Sequence, residues 1–208
     1  MGFTDNARYI MEVFCVAFAA TLLLTPFSIK LAGKIGAIDV PKDNRRMHVR
    51  SIPRFGGISI FFGSLISIYL FAGTERNVKI ALLGGTLIYL LGVIDDLKNL
   101  PAGIKFVWQT VVAILMYAFG LRISFITNYF GSGLWGLSTV VCFFVTVVWI
   151  VGVTNTINLV DGLDGLAAGI SAIVSLSLAY IAFIHGDIFG VTAVYSTLTA
   201  LAGACMGF

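Results

Sequence analysis

Charged residues are scarce in this sequence of 208 residues. Asp, Glu, Lys and Arg make up 11% of it, whereas a soluble domain carries about a quarter. Hydrophobic residues make up 59%, and the mean hydropathy is +1.00. This composition excludes a soluble globular protein, and no nucleic-acid partner is expected. The sequence therefore predicts a polytopic membrane protein.

Cysteine is also scarce, and its spacing lacks the pattern of a disulfide framework or a zinc site. Cys15, Cys142 and Cys205 each lie in a separate apolar run. The N-terminus lacks the basic segment and the small-residue cleavage site of a secretory signal, because only Arg8 precedes the first run. We therefore expect that run to be retained as a membrane span.

Long uncharged runs are abundant, and a helix needs about 20 apolar residues to cross a bilayer core of about 30 Å. The runs predict an all-α membrane helix bundle of about seven spans within one membrane domain, residues 1–208. The Gly-rich segment GSGLWG (131–136) predicts a loop or re-entrant turn before the fifth span. The predicted spans are 13–29, 55–74, 80–94, 106–121, 138–153, 165–185 and 188–208.

The basic residues predict the orientation, because Lys and Arg concentrate in short cytoplasmic loops. The third loop carries Lys98 and Lys105, and we expect it to be cytoplasmic with the first loop and with the segment NLVDGLDGL (158–166). The N-terminus then lies outside. Seven of the thirteen basic residues lie in the first loop: Lys30, Lys34, Lys42, Arg45, Arg46, Arg50 and Arg54.

Two acidic clusters stand at the ends of predicted spans. Asp95 and Asp96, in GVIDDLKNLPAGIKFVWQ (92–109), are adjacent carboxylates near the negative end of a helix dipole, where cations are favoured. A polar stop at the membrane interface accounts for one Asp more easily than for two. Asn158 and Asp161 in NLVDGLDGL offer the oxygen ligands that Mg²⁺ prefers, whereas Asp164 also suits the N-cap of the next helix.

The first loop contains the segment DVPKDNRRMHVRSIPRFGG (39–57). Its charge is compatible with a plain topology signal that attracts anionic lipid headgroups. Arg54 is a better candidate for a phosphate contact, because guanidinium presents a planar fork of donors. His48 remains open between a structural and a binding role, and Arg45 is a further binding candidate. Together the clusters indicate chemistry on phosphates at the cytoplasmic membrane surface, with one lipidic and one water-soluble substrate.

These segments, with NTINLVDGLDGLAAG (154–168), closely resemble the bacterial polyprenyl-phosphate N-acetylhexosamine-1-phosphate transferases. Their superfamily also holds phospho-MurNAc-pentapeptide translocase. The resemblance implies transfer of a sugar 1-phosphate, with GlcNAc-1-phosphate as the first candidate, from a UDP-sugar to undecaprenyl phosphate. UMP is released, Mg²⁺ is the cofactor with Mn²⁺ as a substitute, and the reaction begins a cell-envelope glycan in the cytoplasmic membrane.

The same resemblance implies roles for individual residues. Asp95 and Asp96 match the catalytic Asp pair, and Lys105 matches the lysine of a Lys-x-x-x-Gln element that ends at Gln109. A magnesium ligand is matched by Asn158. Asp161 and Asp164 match the acidic motif of the active site, which also binds the nucleotide sugar. The resemblance implies a catalytic role for Asp161 and a substrate-binding role for Asp164.

Three other interpretations were weighed against the transferase. Family members continue past the position of Phe208 with further spans and loops, so the resemblance implies that those spans are missing here. An inactive membrane fragment or a scaffold is therefore the first alternative. An ion transporter is disfavoured because the carboxylates stand at loop edges on one face. The Asp-Gly pattern of CDP-alcohol phosphatidyltransferases fails, because Gly169 stands where Arg is required. A homodimer is compatible with Gly84 and Gly85, which permit close helix approach.

Overall fold

The structure, a computed structural model, describes residues 3–36, 38–39, 52–53, 55–73, 75–163, 165–184 and 192–208. Within these residues the chain is mainly helical, which confirms the predicted all-α membrane fold. Two short antiparallel pairs join β1 (Ile38–Asp39) to β2 (Ile52–Pro53) and β3 (Phe125–Thr127) to β4 (Leu134–Gly136). The helices are α1 (Phe3–Ile35), α2 (Gly56–Phe71), α3 (Arg76–Lys98), α4 (Ala102–Ala118), α5 (Thr139–Val160), α6 (Leu166–Ile184) and α7 (Thr192–Gly207).

Each predicted span coincides with one of these helices. Four of them, α1, α3, α5 and α6, are long and apolar enough to cross a membrane by length and composition. The shorter apolar helices α2 and α4 have 16 and 17 residues. Apolar side chains cover the outer faces of the helices: Leu23 is 77% exposed on α1 and Val148 is 67% exposed on α5. The chain is a multi-pass membrane protein.

The helices extend past the predicted spans at two ends that carry polar residues. α3 continues through Asp95 and Asp96 to Lys98, and α5 continues through Asn158 to Val160. The sequence criterion ended each span at or before its first charge, whereas a helix continues until its backbone changes conformation. Asn99 provides that change after α3, because its φ of 48° is left-handed. The polar side chains are therefore held on the last helical turns.

The Gly-rich segment before α5 forms an exposed β-hairpin rather than a plain loop or re-entrant turn. Ile126 of β3 pairs with Trp135 of β4, and both strands are exposed along their length. The Asn128 side chain accepts a hydrogen bond from the Phe130 N–H at 3.0 Å, which begins the turn. Gly133 adopts a φ of 98°, a conformation that favours glycine, so the turn requires a glycine there.

The chain divides into two compact units, Met1–Val78 with Leu163–Phe208 and Lys79–Gly162. The single membrane domain 1–208 stays a prediction. In the first unit, α7 packs closely on α1, because a Cβ at Gly203 or Gly207 would overlap the carbonyl oxygen of Phe14 or Phe18. Small residues four apart allow such close approach of membrane helices.

The second unit contains most of α3 with α4, the hairpin and α5. At the far end of α4, the Tyr117 hydroxyl donates to the Thr139 carbonyl at 3.3 Å. Beside it, the Ile123 N–H donates to the buried Thr146 hydroxyl at 2.9 Å. These contacts join the end of α4 to the start of α5. The polar residues of the candidate site lie at the opposite ends of the same two helices.

Candidate functional site

Asp95 organises the connection between α3 and α4. Its Oδ1 accepts a hydrogen bond from the Leu100 N–H at 2.8 Å, and its Oδ2 lies 3.0 Å from the Lys105 Nζ. Its backbone carbonyl accepts from the Asn99 N–H at 2.7 Å. The carboxylate therefore ends α3 and also holds the lysine of the next helix. Pro101 then precedes α4 in an extended conformation, which suits the residue before a helix.

The Asp95–Lys105 ion pair is partly buried, with side-chain exposures of 23% and 26%. The structure therefore brings together two of the residues that the sequence predicted as catalytic. Asp96 lies in the same helical turn as Asp95 and is half-buried. Two carboxylates at a helix C-terminus oppose the helix dipole, which favours cations there. A basic or metallic partner at this end is the physical requirement, and Lys105 supplies one positive charge.

Asn158 and Asp161 stand one helical turn apart at the end of α5. Asn158 is exposed in the last turn, and Asp161 follows the helix as its C-cap, with its N–H donating to the Ile157 carbonyl at 3.1 Å. Partial desolvation raises the pKa of the Asp161 carboxyl above the ordinary aspartate value. A nearby cation would reverse that penalty. This is the second place in the unit where a carboxylate opposes a helix dipole.

The predicted Mg²⁺ site requires side-chain donor atoms that suit this ion. Among the described residues, no group of three or more His, Cys, Asp or Glu side chains could hold a metal ion. Asn158 and Asp161 do offer amide and carboxylate oxygens, the ligands that suit Mg²⁺. Mg²⁺ keeps several waters and binds through only one or two carboxylates, so this donor set fits it.

A pair of amides, one buried and one half-buried, joins α4 to α5 below these residues. The Asn155 Nδ2 donates to the Gln109 Oε1 at 2.6 Å and to the Val151 carbonyl at 2.8 Å. Gln109 is 5% exposed. Hydrogen bonds between membrane helices contribute about 0.6 kcal/mol on average, whereas a buried amide without a partner costs about 1–3 kcal/mol. Removing one amide alone therefore costs more free energy than the hydrogen bond between the two amides contributes.

The contact between these two amides was not predicted from the sequence. Gln109 was noted only as the end of the Lys-x-x-x-Gln element, and Asn155 was not singled out. A signal was present, because each is an amide inside an otherwise apolar run. Polar residues inside membrane helices face protein or a water-filled cavity rather than lipid. Which two amides meet is decided by how the helices pack.

An apolar groove of about 520 Å³ lies along one face of α4. It reaches α3 at Leu87, where the Trp108 indole N–H donates to the Leu87 carbonyl at 3.1 Å. The lining residues begin with Gly103 and Ile104, which precede Lys105 in the first turn of α4, and end at Leu115. A long apolar chain could therefore lie on α4 with a polar head at the lysine.

Four predicted binding residues lie outside the described residues: Arg45, His48, Arg54 and Asp164. Their roles stay predictions. The candidate site residues within Lys79–Gly162 thus fall into two groups: a carboxylate–lysine pair with Asp96 at the α3–α4 connection, and an amide with a carboxylate at the end of α5. All of them stand at helix ends, where short loops leave room for polar substrates.

Comparisons with known proteins identify relatives of this chain. A family model described as glycosyl transferase family 4 matches residues 78–208. A probable undecaprenyl-phosphate N-acetylglucosaminyl 1-phosphate transferase from Bacillus subtilis is 39% identical over 181 residues, which cover 86% of this chain and 50% of that protein. A decaprenyl-phosphate N-acetylglucosaminephosphotransferase from Mycobacterium tuberculosis is 32% identical over 198 residues, 86% of this chain and 47% of that protein.

A more distant similarity extends along nearly the whole chain. The phospho-N-acetylmuramoyl-pentapeptide-transferase of Prochlorococcus marinus is 29% identical over an alignment 222 residues long, gaps included. The alignment covers 98% of this chain and 60% of that protein. The chain thus spans about half to three-fifths of the length of these relatives.

Proposed function

This chain belongs to glycosyl transferase family 4, and from that premise we propose that it works as a phospho-N-acetylhexosamine transferase. In this proposal it transfers an N-acetylhexosamine 1-phosphate from a UDP-sugar to undecaprenyl phosphate at the cytoplasmic face of the inner membrane. GlcNAc-1-phosphate is the first candidate for the transferred group. UMP leaves, and the product begins a cell-envelope glycan. The observation that carries the proposal is the partly buried Asp95–Lys105 pair at the start of α4, a helix that also lines an apolar groove.

That pair suits a substrate with an anionic head and an apolar tail. The groove begins at Gly103 and Ile104, so a prenyl chain on α4 would bring its phosphate to Lys105. The lysine already holds a carboxylate at 3.0 Å, and a phosphate could share or replace that contact. Lysine binds phosphate as a compact positive charge. The sequence alone had predicted one lipidic substrate, and the groove supports that prediction.

In the reaction, an oxygen of the lipid phosphate forms a bond to the phosphorus that carries the sugar. The bond from that phosphorus to the bridging oxygen of UDP breaks, and UMP leaves with the electron pair. The attacking phosphate needs little activation, because its second pKa near 6 leaves it mostly dianionic at neutral pH. The main barrier is the approach of two anions. Positive charge at the site therefore contributes more to the rate than a general base does.

Mg²⁺ is the cofactor that we propose, held by Asn158 and Asp161 at the end of α5. When bound it supplies positive charge to the diphosphate of the nucleotide sugar. Lys105 supplies the charge at the lipid phosphate, and Asp95 keeps the lysine at the start of α4. Asp96 stands in the same turn as Asp95 and is the residue that we propose to accept a proton or orient the acceptor.

The decisive experiment measures lipid-linked sugar phosphate in membranes that contain this protein, given labelled UDP-GlcNAc, undecaprenyl phosphate and Mg²⁺. We expect product from the wild type and none from Asp95→Asn. The matched control is Glu12→Gln, which removes the Arg8–Glu12 ion pair on the exposed surface of α1 and should leave product formation unchanged. Absence of product from the wild type, or full activity in Asp95→Asn, would contradict the proposal.

A further inference from the structure

We propose that the Gln109–Asn155 amide pair is a positioning contact that sets the distance between Lys105 and Asn158. This inference rests on the proposed function, because it gives the pair a role in aligning the lysine on α4 with the amide on α5. Neither Gln109 nor Asn155 is proposed to contact a substrate. Both act through the residues one turn above them.

The geometry of the contact fixes the Asn155 amide in one orientation. A backbone carbonyl can only accept, so the 2.8 Å contact with Val151 identifies the Asn155 nitrogen as the atom on that side. The second hydrogen of the same nitrogen then reaches the Gln109 Oε1 at 2.6 Å. One amide group is therefore hydrogen-bonded to its own helix and to the neighbouring helix at once. Rotation of α5 about its axis would break one of the two bonds.

The spacing along each helix places the pair directly behind the site. Gln109 follows Lys105 by four residues on α4, and Asn155 precedes Asn158 by three residues on α5. Residues three or four apart lie on the same face of a helix, about one turn from each other. A shift of the amide pair is thus transmitted to Lys105 and Asn158 through less than two turns of rigid helix.

The membrane gives such a contact its importance. Lipid tails are as apolar as leucine, so apolar packing alone gives little preference for one helix rotation over another. The far ends of α4 and α5 are joined by the hydrogen bond from the Tyr117 hydroxyl to the Thr139 carbonyl. Nearby, the Ile123 N–H after α4 donates to Thr146 of α5. Without the amide pair, α5 could pivot about those far contacts. The site end would move most, because it is furthest from the pivot.

The test compares four variants of the full protein. Gln109→Leu and Asn155→Leu each remove one amide, and the double variant Gln109→Leu/Asn155→Leu removes both and so leaves no buried amide unpaired. Gln109→Glu keeps an acceptor oxygen in either ionisation state. The matched control is Thr146→Val, which removes the hydrogen bond between the Ile123 N–H, in the segment after α4, and the buried Thr146 side chain of α5.

The first readout is structural and needs no turnover. Spin labels at Ile104 and Leu159, 52% and 83% exposed, report the distance between the helix ends beside the site. They are introduced as cysteines after Cys15, Cys142 and Cys205 are replaced. We expect the distance distribution to shift or broaden in both single Leu variants and in the double variant. It should keep the wild-type form in Gln109→Glu and Thr146→Val.

The second readout is the separation of turnover from binding. Because a displacement of about 1 Å at a reacting centre costs about 100-fold in rate, we expect kcat to fall by about 10- to 100-fold in the double variant. The KM for UDP-GlcNAc should change much less, and Gln109→Glu should recover most of the turnover. Thr146→Val should keep the wild-type kcat even if its melting temperature falls.

The outcomes separate this inference from the proposed function. An unchanged label distance in the folded double variant would overturn the positioning role, whatever the single variants do. So would an equal loss of kcat in Thr146→Val, since the contact would then be an ordinary stabilising one. A shifted label distance together with no product from the wild type would retain the positioning of the helix ends and reject the transferase.

Discussion

The Lys105 Nζ lies 3.0 Å from the Asp95 Oδ2, and this ion pair joins the first turn of α4 to the last turn of α3. The other oxygen of the same carboxylate accepts from the Leu100 N–H, so one side chain both ends a helix and holds a cation. Pairs that remain partly open to solvent contribute at most about 1 kcal/mol to stability. The importance of the contact therefore lies in where it holds the positive charge.

We expect Lys105→Met to weaken use of the lipid substrate. A hydrogen bond to a charged group contributes about 1.5–3 kcal/mol, so the KM for undecaprenyl phosphate should rise by about 10- to 100-fold. The KM for UDP-GlcNAc should stay near the wild-type value. Initial rates at varied concentrations of each substrate measure both constants. Lys98→Met is the matched control, because Lys98 is exposed at the end of α3. An equal rise in both KM values would show that Lys105 does not act selectively on the lipid phosphate.

We expect Asn158→Ala and Asp161→Asn to raise the Mg²⁺ concentration that gives half-maximal activity, by about tenfold or more for the loss of a charged contact. EDTA should abolish activity, and added Mg²⁺ should restore it. A Mg²⁺ titration of the initial rate provides the measurement. Thr156→Val is the control, since its hydroxyl donates to the Gly152 carbonyl on the same helix. A Mg²⁺ requirement that neither site variant alters would remove both residues from the metal site.

We expect a larger side chain in the apolar groove to weaken the use of a long prenyl phosphate more than that of a short one. Val111→Trp fills the middle of the groove and should raise the KM for undecaprenyl phosphate. Use of a short-chain prenyl phosphate should change little, because its tail would end before that position. Val148→Trp, on an exposed face of α5 outside the groove lining, is the matched control. Equal effects on both lipids would place the prenyl chain elsewhere.

We expect the α1–α7 contact to depend on glycine at two positions. Gly203→Ala and Gly207→Ala should destabilise the protein by about 1–3 kcal/mol, because the new methyl overlaps the carbonyl oxygens of Phe14 and Phe18. Gly169→Ala in α6 meets nothing within 4 Å and is the control. There alanine should be neutral or stabilising, because it favours helix more than glycine by about 1 kcal/mol. Melting temperature in detergent measures all three, and equal melting of Gly203→Ala and Gly169→Ala would contradict the close packing.

Much of the fold followed from composition and from runs of uncharged residues. Each of the seven spans predicted from those runs coincides with a helix. The helix ends were predicted less well, because a charge marks where a span leaves the apolar core but does not break backbone hydrogen bonds. Asp95 and Asn158 stood just past the predicted spans 80–94 and 138–153, and the structure places them in the last turns of α3 and α5. The hairpin of β3 and β4 was missed because its strands are only three residues long.

The candidate site residues were predicted by type, and their contacts were not. Asp95 and Lys105 are ten residues apart across a short Pro-containing connection, and their pairing was not predicted from the sequence. Gln109 and Asn155 are 46 residues apart on different helices. No local pattern sets the rotation of α4 against α5, and that rotation decides which side chains meet.

The sequence by itself determined that this chain is a multi-pass helical membrane protein with carboxylates and amides at the ends of its spans. Those features depend on hydrophobicity and on local backbone preference, which act over a few residues. Only the tertiary structure decided that Asp95 holds Lys105, that a groove runs along α4, and that Gln109 meets Asn155. Such contacts arise from the packing of whole helices, where small changes in rotation exchange one set of neighbours for another.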